Sequence, residues 1–203
     1  MIEYTNRYNL LFMGSSGSGK DTQAGLMKEF LERRDGIDSV LYVYTGDVLR
    51  DLAKQETYIA KLVHKIAVKE GGKVPDLLAA WGIGEVLVSK MKESHHLIFS
   101  SSPRSVVEVQ LLNEIFNALG RKNIFYVYLN IPREEAARRL LSRGRQDDNT
   151  STINNRLDFY ERYVVPALEY CRRKSPHGLI EIDGSPHDQE KIHHEILKVI
   201  GLR

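Results

Sequence analysis

One cysteine, Cys171, stands among 203 residues, so no disulfide can close within the chain and no zinc site can be built from paired cysteines. No apolar run approaches the ~18 residues that a membrane-crossing helix needs. Neither sign of charge dominates: 29 basic against 27 acidic residues leave a formal +2, too little to draw the chain to nucleic acid or an anionic bilayer. The N-terminal MIEYTNRYNL lacks the basic-then-apolar order of a secretory signal. These absences leave a chain expected in a reducing compartment, the cytoplasm, with no membrane and no nucleic-acid polymer among its partners. The length suits a single domain, which would bury roughly 70% of its extended-chain surface without staples.

What is present is a rhythm. Five short apolar runs are rich in β-branched or aromatic residues: Asn9–Gly14, Ser39–Thr45, His96–Ser101, Asn123–Ile131 and Leu179–Gly184. Most are continuous rather than alternating, as expected of strands covered on both faces of a parallel sheet. Between them, Lys20–Arg34, Pro75–Lys92, Val106–Leu119, Glu134–Arg143, Thr152–Lys174 and His187–Ile200 carry apolar residues at spacings of 3 and 4 and read as helices. The alternation predicts a doubly wound α/β domain. The crossover from Gly46 to Lys92 is too long for one helix and predicts a small helical insert that breaks at Gly71-Gly72.

The first strand runs into Gly14-Ser15-Ser16-Gly17-Ser18-Gly19-Lys20, the pattern G-x-x-x-x-G-K between a strand and a helix. Its glycines let the backbone curl so that successive N–H groups meet phosphate oxygens at a helix N-terminus, with Lys20 reaching the β- and γ-phosphates. The next position usually holds a hydroxyl for Mg²⁺. Here it is Asp21, followed by Thr22. A carboxylate there either helps hold Mg²⁺, directly or through water, or complements the helix dipole.

The stretch GSSGSGKDTQ, from Gly14 to Gln23, resembles the phosphate loop of the adenylate kinase family, and four further segments match in order. Thr45-Gly46-Asp47-Val48-Leu49-Arg50 is similar to the family's monophosphate segment and Val74-Pro75-Asp76 to the end of its helical insert. Pro103-Arg104-Ser105 lies where the family has Asp-Gly-Phe-Pro-Arg, and Arg139–Arg156 resembles the lid and its flanking helices. The resemblance implies a three-layer α/β/α phosphate-loop fold with a five-stranded parallel sheet. It implies one kinase domain over residues 1–203, with a monophosphate-binding insert at about 46–76 and a short lid at about 144–149.

The implied reaction is reversible Mg²⁺-dependent transfer of the ATP γ-phosphate to a nucleoside monophosphate, AMP first, as in nucleotide biosynthesis. Such chemistry is mostly positioning and charge stabilisation. By resemblance, Arg50 and Arg104 grip the monophosphate, with Thr45, Val74 and residue 108 around its base. Arg143, Arg145 and Arg156 neutralise the transferring group together with Lys20. Arg139 lies over the donor purine, and Asp147 and Asp148 pair with arginines on closure. The family's short-lid forms imply a monomer and no zinc.

Two departures stand out. The third strand ends in Ser100-Ser101-Ser102 without the family's Mg²⁺-organising aspartate, while Asp21 adds a carboxylate; Asp47 is a second candidate for the outer metal shell. Where the family's glutamine reads adenine, this chain has Glu108, which when ionised only accepts hydrogen bonds; Gln110 is the nearby alternative, on another helix face. A phosphate-loop kinase with a different small acceptor and a nucleotide-binding regulator with weak turnover are the rival readings. Trp81 and the strand tyrosines Tyr42, Tyr44, Tyr126 and Tyr128 are expected in packing, and Cys171, beside Arg172 and Arg173, is open to a lowered pKa.

Overall fold

A computed structural model describes residues 7–144 and 149–202. Five parallel strands, β1 (Asn9–Met13), β2 (Val40–Val43), β3 (His96–Phe99), β4 (Ile124–Asn130) and β5 (Ile180–Asp183), lie in the order β2-β3-β1-β4-β5. The described helices are α1 (Lys20–Asp35), α2 (Thr45–Ala53), α3 (Tyr58–Val63), α4 (Asp76–Lys90), α5 (Val106–Ala118), α6 (Arg133–Arg143), α7 (Thr150–Phe159), α8 (Val165–Arg173) and α9 (Gln189–Val199).

Alternation along each strand serves two cores. Leu11, Met13, Leu41, Val43, Leu97, Phe99, Tyr126 and Tyr128 pack with Ile83 and Val86 of α4, Leu112 and Phe116 of α5, and Leu168 of α8. Leu10, Phe12, Val40, Ile98, Val127, Leu129 and Ile182 pack with Met27 and Leu31 of α1 and Ile196 of α9. Strands apolar at every position are thus covered on both sides, as the continuous runs predicted. β1 pairs with both β3 and β4, so the chain's direction of travel reverses at β1, and the ends of β1 and β3 open the crevice where α/β sheets take ligands.

Two sequence expectations need correcting. The run Thr152–Lys174 is not one regular helix: a π-helical stretch, Tyr160–Val164, separates α7 from α8. Pro166 supplies the reason, because it has no N–H for the helix ladder and its ring crowds the carbonyl four residues back, so the helix widens ahead of it. The insert carries a second π-helical stretch, His64–Lys69, before Gly71-Gly72. Trp81 is not core: it is 43% exposed on the outer side of α4.

Candidate functional site

The strand ends deliver five loops to one cleft of about 630 Å³. After β1 the chain curls, with Ser18 N–H donating back to Ser15 O at 3.2 Å, and α1 begins at Lys20. Gly14 has φ +144°, and a Cβ there would come within 2.8 Å of Leu129 O; at Gly17, φ +87°, it would come within 2.9 Å of Ala136 O. Neither position can carry a side chain without moving backbone. Lys20 Nζ folds over the loop and donates to Ser15 O at 3.2 Å. The buried hydroxyls of Ser18 and Ser101 line the cleft without a hydrogen-bond partner, a cost that a bound phosphate or water would remove.

Gly14, Ser16, Gly17, Ser18, Gly19, Lys20, Asp21, Thr22, Thr45, Arg50, Val74, Arg104, Glu108, Arg139, Arg143 and Arg156 all line this cleft. Ser15 is buried beneath it. Asp47 is outside the lining and pairs with Arg50 at 2.5 Å, both exposed. Arg145, Asp147 and Asp148 lie outside the described residues.

Several of these cations have an identifiable support. Arg50 sits 5.2 Å from the Tyr44 ring centroid. Arg104 donates through Nε to Ser101 O at 2.6 Å, which holds its stem along the end of β3. Arg139 is clamped between Glu135, at 2.5 Å, and Ser185 O, at 2.9 Å. The Glu135 carboxyl is drawn down to about 2, chiefly by Arg138 and then by Arg139. Arg156 rides on α7, whose start is set by a reciprocal cap: Asn149 Oδ1 accepts from Thr152 N–H and Thr152 Oγ1 from Asn149 N–H.

In the same cleft, Thr45 Oγ1 and Ser102 Oγ lie 2.6 Å apart, both buried. Glu108 is 3% exposed, and its Oε2 accepts from Arg104 N–H at 3.1 Å. Burial pushes the Glu108 carboxyl up; Arg104 opposes that shift and Asp76 adds to it. Asp76 itself is held below the usual range: burial works against this, but Lys73 at 2.5 Å and Ser105 at 2.8 Å outweigh it. Gln110 is exposed on another face of α5 and does not line the cleft.

Sequence reasoning missed Ser102, Lys73, Tyr44 and Ser185. The first two adjoin the Pro103-Arg104 and Val74-Pro75 matches, so proximity could have flagged them, whereas Ser185 acts only through its carbonyl. Cys171 also differs from expectation: burial pushes its thiol up to about 12, and the neighbouring arginines turn outward to Glu169 and Glu181.

Seven cationic side chains, Lys73 completing the set, thus line one cleft with two carboxylates, Asp21 and Glu108, among the described residues. That excess suits two polyanionic ligands brought end to end. No three His, Cys, Asp or Glu side chains converge as a metal cage among the described residues. A single carboxylate on the first turn of α1 nonetheless suits Mg²⁺, which is commonly held by substrate phosphates, waters and one or two carboxylates.

The family model described as adenylate kinase matches residues 12–176. An adenylate kinase of Prochlorococcus marinus (strain MIT 9515) is 34% identical over 176 residues, covering 87% of this chain and 91% of that protein. One from Parabacteroides distasonis is 35% identical over 178 residues, covering 85% and 88%. Adenylate kinase 1 of Nostoc sp. (strain PCC 7120) is 30% identical over 192 residues, covering 95% and 98%.

Proposed function

The chain belongs to the adenylate kinase family, and from that premise we propose that it transfers the γ-phosphate of ATP reversibly to AMP, giving two ADP. The observation that carries this reading is a single cleft in which the phosphate loop and Lys20 are joined by Arg50, Arg104, Arg139, Arg143 and Arg156.

The donor triphosphate lies on the Gly14–Lys20 loop with its base toward Arg139, whose guanidinium plane is fixed by Glu135 and Ser185. The acceptor phosphate meets Arg50 and Arg104. The transferring group then passes between like-charged oxygens, and Lys20, Arg143, Arg145 and Arg156 offset the developing charge. The acceptor oxygen attacks phosphorus in line while the β–γ bridging oxygen leaves to ADP, and no enzyme group forms a covalent bond. Asp21 is the residue that would hold Mg²⁺ through water, the ion supplying charge neutralisation on the β- and γ-phosphates. Closure of the insert over the substrates excludes water. We place the enzyme in the cytoplasm.

Glu108 shapes acceptor choice. Its burial favours the protonated acid, which offers one donor and one acceptor as an amide does and so suits the edge of adenine.

The test is diphosphate formation from ATP and Mg²⁺ with AMP, CMP, GMP, UMP and dTMP offered separately, for the wild type and Arg156→Ala. AMP should lead, and Arg156→Ala should lower kcat by about 10³-fold while nucleotide affinity changes only a few-fold. Tight ATP binding without turnover on any acceptor would make the chain a regulator instead, and turnover led by another base would reassign Glu108.

A further inference from the structure

We propose that Asn155 is a positioning residue for Arg156 and that it acts through the segment leaving the insert, residues 70–73. Asn155 Nδ2 donates to Glu70 O at 3.0 Å, a bond between α7 and the end of the insert. Glu70 closes the π-helical stretch His64–Lys69, and carbonyls at the end of a helix lack partners within it, so a donor from outside ties that end down. Asparagine is a poor helix former, and at this exposed position of α7 the bond to Glu70 gives it a role that alanine could not fill.

The next residue lies against the arginine itself. Gly71 has φ +65°, and a Cβ there would stand 3.3 Å from Arg156 Cγ and 3.4 Å from Thr152 O, so the backbone passes along the stem of Arg156 with little room for a side chain. An arginine stem is free to change rotamer unless something stands beside it, and a misplacement of ~1 Å at a charge-stabilising group can cost ~10²-fold in rate. Two residues on, Lys73 Nζ lies 5.4 Å from the Tyr163 ring centroid and 2.5 Å from Asp76. Asp76 accepts from Ser105, whose hydroxyl caps α5 by accepting from Glu108 N–H. Residues 70–73 thus run from the helix that carries Arg156 to the groups around Glu108, and Arg156 shares its support with that part of the cleft. Gly71, Gly72 and Lys73 line the cleft and Asn155 does not, so Asn155 reaches the reaction only through its neighbours.

The inference rests on the kinase reading, which wild-type turnover tests by itself. Wild type, Asn155→Ala, Asn155→Gln, Arg156→Ala and the double variant Asn155→Ala with Arg156→Ala are compared in single-turnover ADP formation from ATP, Mg²⁺ and AMP. Hydrogen exchange without nucleotide follows the Glu70 and Gly72 amides, which donate to Lys65 O and Ile66 O. Asn155→Ala should slow the single turnover by roughly tenfold or more with KM for ATP little changed, and Asn155→Gln, which keeps the amide donor, should restore most of the rate. In the Arg156→Ala background the same change should cost less than about twofold, because the group it positions is gone. Exchange at Glu70 and Gly72 should quicken in Asn155→Ala. A full rate in Asn155→Ala, or an equal loss in both backgrounds, overturns the inference. Unchanged exchange overturns it as well, and that readout stands whether or not the wild type turns over.

Discussion

At the residue scale, the position after the phosphate-loop lysine holds a carboxylate, Asp21, where the general motif holds a hydroxyl. Ser100, directly after β3, is fully buried. Burial pushes the Tyr42 pKa up, Ser100 opposes that shift, and the charge of Asp21 is among those that add to it. A carboxylate beside a triphosphate is repelled unless a cation stands between them. Asp21→Asn is therefore expected to weaken Mg²⁺ dependence by about tenfold in two readouts, the Mg²⁺ needed for half-maximal rate and the Mg²⁺-induced gain in ATP affinity measured by calorimetry. Unchanged values in both would assign Asp21 to the helix dipole alone.

At the element scale, catalytic geometry depends on how helices begin. α7 carries Arg156 one and a half turns from its N-terminus, and its direction is set by the Asn149–Thr152 cap. Asn149→Ala removes the acceptor for Thr152 N–H and should cost about 1 kcal/mol of stability, read as a lower urea midpoint with unchanged slope. The same variant should lower kcat more than it raises KM, because Arg156 is misplaced only where charge develops. Loss of stability with full kcat would show that Arg156 is positioned from elsewhere. The sequence reading began this helix at Thr152, two residues inside α7, and did not single out Asn149 as its cap. The π-helical widening was not legible either, because its apolar periodicity runs straight through Pro166.

At the scale of the whole molecule, buried histidines set the response to acid. His96 is fully buried; Tyr8 N–H donates to its Nδ1 at 3.0 Å, so the ring proton resides on Nε2, 2.8 Å from Asp35 Oδ2. Burial lowers the His96 pKa, with Asp35 only partly offsetting it. His193 is also buried and lowered by burial, and neither ring nitrogen finds a hydrogen-bond partner. For such groups the unfolded chain takes up protons first. Their stabilisation is complete above the unfolded value of ~6.5 and is lost as pH falls toward the folded pKa. Asp35, held low mainly by Arg34 and further by His96, has its pKa below the usual carboxylate value and contributes until far more acidic pH. Unfolding free energy should therefore decline from pH 7 to 5. His96→Gln should cost about 1–3 kcal/mol at pH 7 and flatten part of that decline, leaving the share due to His193, His95 and His177, whose pKa values burial also lowers. Urea titrations at stepped pH measure both, and an undiminished slope in His96→Gln would show that His96 is not the group taking up the proton.

The sequence by itself determined the strands, the phosphate loop and the order of the cationic segments, because these rest on local physics. Continuous apolar runs bury on both faces, and glycines at Gly14 and Gly17 permit a loop that no side chain could enter. Only the tertiary structure decided which groups meet across the chain. Glu108 is buried beside Arg104 and influenced by Asp76, Thr45 meets Ser102, Arg139 is clamped by Glu135 and Ser185, and Asp47 turns away to Arg50. Trp81 and Cys171 show the same divide from opposite sides. Their helical spacing said that each lies on an apolar stretch, but the side of the helix facing the sheet was settled by what packs there. Trp81 was left outside, and Cys171 was drawn into the core, where burial silences its thiol.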